Sequence, residues 1–301
     1  MTSFHRVLVA AAVLVLIAGM GAAQSRPSES GGTRQLFVDV STGTGSPVLD
    51  LAPADFDVRE GGVKRTVVHA GLATTPMRIA LLVDTSDALG PALTNVRAGL
   101  LAFLDALPPE QEVVLITTGR HMRVRVPPTT DRKKLKEAAG GLFPEGGGTL
   151  LVDSLLEADA RFLSKADDRW PVFVIVTSDG TESSPGAREK PFNRWMDGLR
   201  VRAATAHAIV LKVKDGSGVP EVVALNVTKN TGGHFASIVV GNALPDKLKA
   251  LGQQLSTDYR QMSTKYQLDF LTDTAGPLTG VEVGVARNGI AMQLSYQRHF
   301  Q

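Results

Sequence analysis

The sequence predicts an α/β fold, a doubly wound and mostly parallel sheet, carrying a small β module built from its N- and C-terminal flanks. Three observations predict it. Apolar runs at 79–83, 113–116, 172–176 and 208–211 are unbroken, as in strands buried on both faces. Amphipathic helical stripes lie between these runs, and alternating strand and helix implies a parallel sheet covered on both sides. On either side of this block the hydrophobic period becomes two, the mark of half-buried strands.

Along the chain, residues 1–23 have a basic start at Arg6, an apolar run from Val7 to Ile17 and small residues up to Ala23. That is a signal-peptide pattern, and the run is shorter than the ~20 residues of a spanning helix. Residues 24–34 are rich in Ser, Gly and Pro and read as a flexible leader. Residues 35–75 form an N-terminal β segment: Leu36, Val38 and Val40 alternate with Phe37 and Asp39, and the Glu60-Gly61-Gly62 turn joins two further strands.

Residues 76–260 hold the α/β domain. Leu93, Val96, Leu100, Phe103, Leu104 and Leu107 share one helical face, as do Leu135 with Ala138 and Ala139, and Leu151 with Leu155 and Ala158. Pro220 suits the first turn of a helix that Gly232 ends, and Leu244, Leu248, Leu251 and Leu255 make the stripe of a last helix. Residues 261–301 return to strands that pack with the N-terminal ones: Tyr266, Leu268 and Phe270; Val281, Val283 and Val285; and Met292, Leu294 and Tyr296. Arg287-Asn288-Gly289 predicts a hairpin between the last two.

With 43% hydrophobic and 21% charged residues in 301, the composition is globular. Loss of residues 1–23 removes Arg6 and lowers the formal charge from +2 to +1, which draws neither nucleic acid nor an acidic membrane surface. The absence of cysteine excludes disulfides and a lipid-anchored Cys. A periplasmic or secreted bacterial protein, with no stable membrane insertion after cleavage, fits these features. The six histidines have no metal-ligand spacing, and neither a nucleophile elbow nor a phosphate loop is present.

Ligands of doubly wound sheets bind outside the carboxyl ends of the strands. Three polar clusters fall there: Asp84-Thr85-Ser86, Gly146-Gly147-Gly148-Thr149 and Thr177-Ser178-Asp179-Gly180. They supply only oxygens, the donors that Mg²⁺ takes in octahedral array. Asp84, Ser86, Thr149 and Asp179 form the candidate metal set. Simpler roles stand beside it: the two carboxylates brace loop N–H groups, and Thr149 caps the following helix. Arg120, Arg123 and Arg125 with His121 make a small basic cluster, read as a solvated strand face or a partner-facing patch.

In their order, Asp84-x-Ser86, GGGTLLVDSLLEA, VFVIVTSDG and TKNTGGHF resemble the von Willebrand factor A family, over roughly Pro76 to Val240. The resemblance implies a Rossmann-like fold and a metal ion-dependent adhesion site of the form Asp-x-Ser-x-Ser with a distant Thr and Asp. It implies Mg²⁺ on Asp84, Ser86, Thr149 and Asp179, bridging to an acidic residue of a protein partner. Ala88 departs from the pattern, because a methyl group cannot coordinate. The flanking segments are similar to those of a related, mostly exported group abundant in acidobacteria. The implied function is a non-enzymatic protein-binding module. The rival is a metal-free scaffold of the bacterial envelope, and an enzyme is the third and weakest reading.

Overall fold

The computed structural model describes residues 32–165, 168–185, 189–273 and 280–295. The segment expected to be a signal peptide lies outside these, as does Tyr296. Among the described residues no helix is long and apolar enough to cross a membrane.

In chain order, β1 (Gly32–Thr42), β2 (Phe56–Glu60), β3 (Val63–Arg65) and β4 (Val67–Leu72) precede the α/β block. That block runs β5 (Met77–Val83), α1 (Leu93–Ala106), β6 (Glu112–Thr117), β7 (Arg123–Thr129), α2 (Arg132–Gly140), α3 (Leu151–Ala158), β8 (Trp170–Ser178), α4 (Glu189–Val201), β9 (Thr205–Leu211), α5 (Val219–Thr231), β10 (Phe235–Ile238) and α6 (Leu244–Met262). Then follow β11 (Tyr266–Thr272), β12 (Val281–Val285) and β13 (Ile290–Ser295).

The central sheet has the order β10-β9-β8-β5-β6-β7, parallel except for the edge strand β7. From β5 the chain moves to β6 on one side and later returns to β8 on the other. The switch point therefore lies between β5 and β8, and a crevice opens beyond their carboxyl ends. Strand alternation sends Ile79, Leu81 and Val83 to a core with α1, α2 and α6, and sends Ala80 and Leu82 to a core with α3, α4 and α5. Both faces are covered, which is why these strands read as unbroken apolar runs.

The flanks share strands. β1 pairs antiparallel with β11 on one side and β13 on the other, giving the sheet β13-β1-β11-β4, and β12 joins β2 and β3 in a second sheet. Leu36, Val38, Val40, Phe56, Val58, Tyr266, Leu268, Phe270 and Val281 fill the space between the two sheets. The Tyr266 hydroxyl accepts Leu51 N at 2.8 Å, a bond between segments 215 residues apart.

Three expectations change. β1 starts at Gly32, inside the stretch read as leader, because Thr272, Leu271 and Phe270 of β11 extend far enough to pair with Gly32, Thr33 and Arg34. β12 and β13 do not form a hairpin: Arg287-Asn288-Gly289 instead carries the chain from one sheet to the other. The N-terminal strands present two separate edges, and one C-terminal strand closes each, where a hairpin would leave an edge bare. Phe37, between the inward residues of β1, is also fully buried, because it enters the core of the α/β domain. Burying that ring stabilises the docking of the β module by about 1.5–3 kcal/mol.

Candidate functional site

The β5–β8 crevice is built around Asp84, which has no solvent exposure. Its backbone N–H still belongs to the sheet, donating to Val176 O at 2.8 Å. Oδ1 accepts Ser86 N at 2.7 Å. Oδ2 accepts Ser178 Oγ at 3.0 Å, Ser178 N at 3.2 Å and Thr177 Oγ1 at 3.3 Å. Every one of these donors is neutral. No Lys, Arg or His among the described residues pairs with Asp84, so a buried carboxylate stands without a counterion, a costly arrangement. The Ser86 side chain is likewise buried, 1% exposed.

Thr149 reaches the crevice from the glycine loop. Its hydroxyl donates to Thr118 O at 2.8 Å and lies 2.9 Å from Thr118 Oγ1, while its N–H donates to Thr181 O. It does not cap α3, which starts after Leu150 with no side-chain cap. Glu182 serves that end of the helix: its carboxylate accepts Ser184 N at 2.9 Å and faces the Leu151 and Val152 N–H groups. Burial nonetheless pushes the Glu182 carboxyl above the usual carboxylate range.

Asp179 lies differently from the other three. Oδ1 accepts Val213 N at 2.7 Å, and Oδ2 is 3.0 Å from Lys212 Nζ. Lys212 also meets Glu221 Oε2 at 2.6 Å, and Glu221 Oε1 accepts Ser237 Oγ at 2.8 Å. The hydrogen bond to Glu221, then that to Asp179, raises the Lys212 ammonium above its ordinary pKa, and Lys212 in turn lowers the Glu221 carboxyl. So Asp179 braces a loop N–H, as the simpler reading of a strand-end carboxylate expects, and is already charge-paired.

Ala88 faces Gly180. A Cβ on residue 180 would stand 2.5 Å from Ala88 Cβ, so only glycine allows the two loops to approach this closely. Asp87, one residue earlier, turns away to the glycine loop, where its Oδ2 accepts Gly147 N at 2.9 Å. On the β6 side Thr85 Oγ1 donates to Glu145 Oε2 at 2.7 Å, and Glu145 Oε1 lies 3.2 Å from Arg123 and 4.0 Å from Arg125. Arg125 stacks on Phe143 at 5.3 Å, and Arg120 is exposed. Two of the three clustered arginines thus share one buried carboxylate.

Asp84 and Ser86 thus follow β5, Thr149 in the loop before α3 is tied to Thr118 at the end of β6, and the Asp179 carboxylate is directed toward β9. The buried Asp84 carboxylate, met by neutral donors only among the described residues, fits a hard cation. Ala88 adds no donor, and Asp179 is engaged elsewhere. Thr118, Lys212, Glu145 and Glu182 went unnoticed in the sequence reading, and Ser178 was read only as part of a polar cluster. For Lys212 a signal exists, since it is the first charged residue after an apolar strand.

A doubly wound sheet with an oxygen-lined crevice at its switch point defines the class. Residues 79–182 match the family model described as von Willebrand factor type A domain, and the α/β block that contains them has the fold of such domains. A von Willebrand factor type A protein from Catenulispora acidiphila is similar in fold, with TM-score 0.53 and 10% identity over 89% of this chain and 74% of that one. BatB from Bacteroides thetaiotaomicron gives TM-score 0.47 at 15% identity, covering 62% of this chain and 99% of that one. Proximal thread matrix protein 1 from the mussel byssus, solved with a zinc-occupied MIDAS motif, gives 0.48 at 12%, covering 68% and 50%. No curated protein sequence matches the chain.

Proposed function

We propose that this protein is an exported, non-enzymatic binding module that holds Mg²⁺ through Asp84, Ser86 and Thr149 and engages a protein partner at the β5–β8 crevice. The observation that carries the reading is the Asp84 carboxylate, wholly buried and, among the described residues, met only by neutral donors. A bound cation would supply the missing positive charge and an open coordination position for a partner's acidic side chain. The chain's own residues hold the place. Ser178 and Thr177 fix Asp84 Oδ2, the Ser86 N–H fixes Oδ1, and the Thr118 carbonyl orients the Thr149 hydroxyl. With Ala88 in place of a hydroxyl and Asp179 held by Lys212, water completes more of the shell than protein does, and binding is weak.

Residues 1–23 support export to the periplasm or beyond. Binding rather than catalysis is proposed because the polar side chains at the crevice brace one another and the loops around them.

A second reading has its own support. Three of the four hydrogen bonds on the Asp84 carboxylate come from Thr177 and Ser178 and tie the end of β5 to the end of β8 without any cation, as a metal-free scaffold would need. Affinity capture from a bacterial envelope extract, in Mg²⁺ and in EDTA, with Asp84→Asn as control, separates the two. The binding reading expects a partner retained in Mg²⁺ by the parent alone. Retention that ignores both EDTA and Asp84→Asn supports the scaffold.

A further inference from the structure

We propose that Lys212 is a latch on Asp179: its ammonium keeps the second carboxylate of the crevice away from the cation position, and a cation gains Asp179 as a ligand only by displacing Lys212. This rests on the reading of Asp84, Ser86 and Thr149 as a cation site and adds its regulation.

The residues around Asp179 line the crevice, yet its own carboxylate does not enter it. Ser178 just before it bonds Asp84 at 3.0 Å. Gly180 just after it touches Ala88, and the Thr181 carbonyl receives Thr149 N at 2.9 Å. Between these contacts the carboxylate turns out toward β9, onto Val213 N and Lys212 Nζ. The seat is shaped for it: a Cβ on Gly216 would stand 2.6 Å from Asp179 Oδ1.

Lys212 is anchored in turn. Glu221, in the first turn of α5, holds its ammonium at 2.6 Å and is fixed by Ser237 of β10. One ammonium thus serves two carboxylates, while Asp84 has no such partner among the described residues. The Lys212 side chain is 41% exposed, and its flexible stem lets the ammonium swing to water without opening the core. Latch and release are both available at the surface.

The test is Mn²⁺ binding to the intact protein, read by electron paramagnetic resonance of free Mn²⁺. The variants are Lys212→Met, Lys212→Arg, Asp179→Asn and the double variant Lys212→Met/Asp179→Asn. Lys212→Met should bind about tenfold tighter than the parent, within the range of coupled pairs. Lys212→Arg and Asp179→Asn should stay near the parent, and the double variant should lose the gain. A gain that survives Asp179→Asn overturns the latch, as does a Lys212→Met protein that binds no tighter than a parent that does bind. If neither parent nor variants bind Mn²⁺ while circular dichroism shows them folded, the cation reading fails and the latch with it.

Discussion

The Ser178 hydroxyl donates to Asp84 Oδ2 across 3.0 Å and joins the ends of two adjacent parallel strands, β5 and β8. Both residues are fully buried, so the bond is made where water does not compete. Ser178→Ala removes a hydrogen bond to a charged group and should cost about 1.5–3 kcal/mol. Urea denaturation measures it. A loss below about 0.5 kcal/mol, the scale of neutral surface changes, would mean that the bond contributes little.

Ala88 sits where the family pattern places a hydroxyl, against a glycine that leaves it room. Ala88→Ser should tighten Mg²⁺ binding roughly tenfold, the low end for changes around a metal's ligands. Isothermal titration of parent and variant side by side reads this, and equal affinities would show that residue 88 lies outside the coordination shell.

Glu182 has a pH-dependent consequence. Its folded-state pKa lies above the ordinary value of 4.5, chiefly through burial, so the ionised form is disfavoured in the folded protein. A raised pKa means that the group's contribution is fully present below pH 4.5 and is lost as pH rises through the folded value. Glu182→Gln should therefore unfold at a higher temperature than the parent at pH 7 and match it below pH 4.5. Thermal scans across this range check the sign. A variant less stable at pH 7 would mean that the Leu151 and Val152 N–H groups outweigh burial.

Tyr266→Phe isolates the bond that ties the two flanks. Without the hydroxyl, Leu51 N loses its acceptor inside the module, at a cost of about 1–3 kcal/mol. Chemical denaturation gives the number, and an unchanged midpoint would mean that water replaces the bond.

The fold was legible because its physics is periodic. Leu81 and Leu82 face opposite cores, and a strand buried on both sides has to be apolar throughout. Gly232 closes α5 in the left-handed conformation expected of it, with φ 72°. Phe37 misled the alternation because a second domain covers the outer face of β1. The missing hairpin misled because turn chemistry reports a bend and not the partners of the strands it joins. At the site, the polar clusters picked out by residue type and order lie at the ends of β5 and β8 and in the loop before α3. The orientation of Asp179 was not legible, since it depends on Lys212 and Val213, which follow a different strand.

The central claim is that Asp84 holds a cation, and calorimetric titration of Mg²⁺ into the parent and Asp84→Asn tests it most directly. Asparagine keeps the side-chain shape and acceptor oxygen but removes the charge. The account predicts a weak, saturable, single-site isotherm for the parent and none for Asp84→Asn, with both proteins unfolding cooperatively. A parent that binds no Mg²⁺, or an Asp84→Asn protein that binds it equally well, would contradict the account and leave Asp84 as a brace between the β5 and β8 loops.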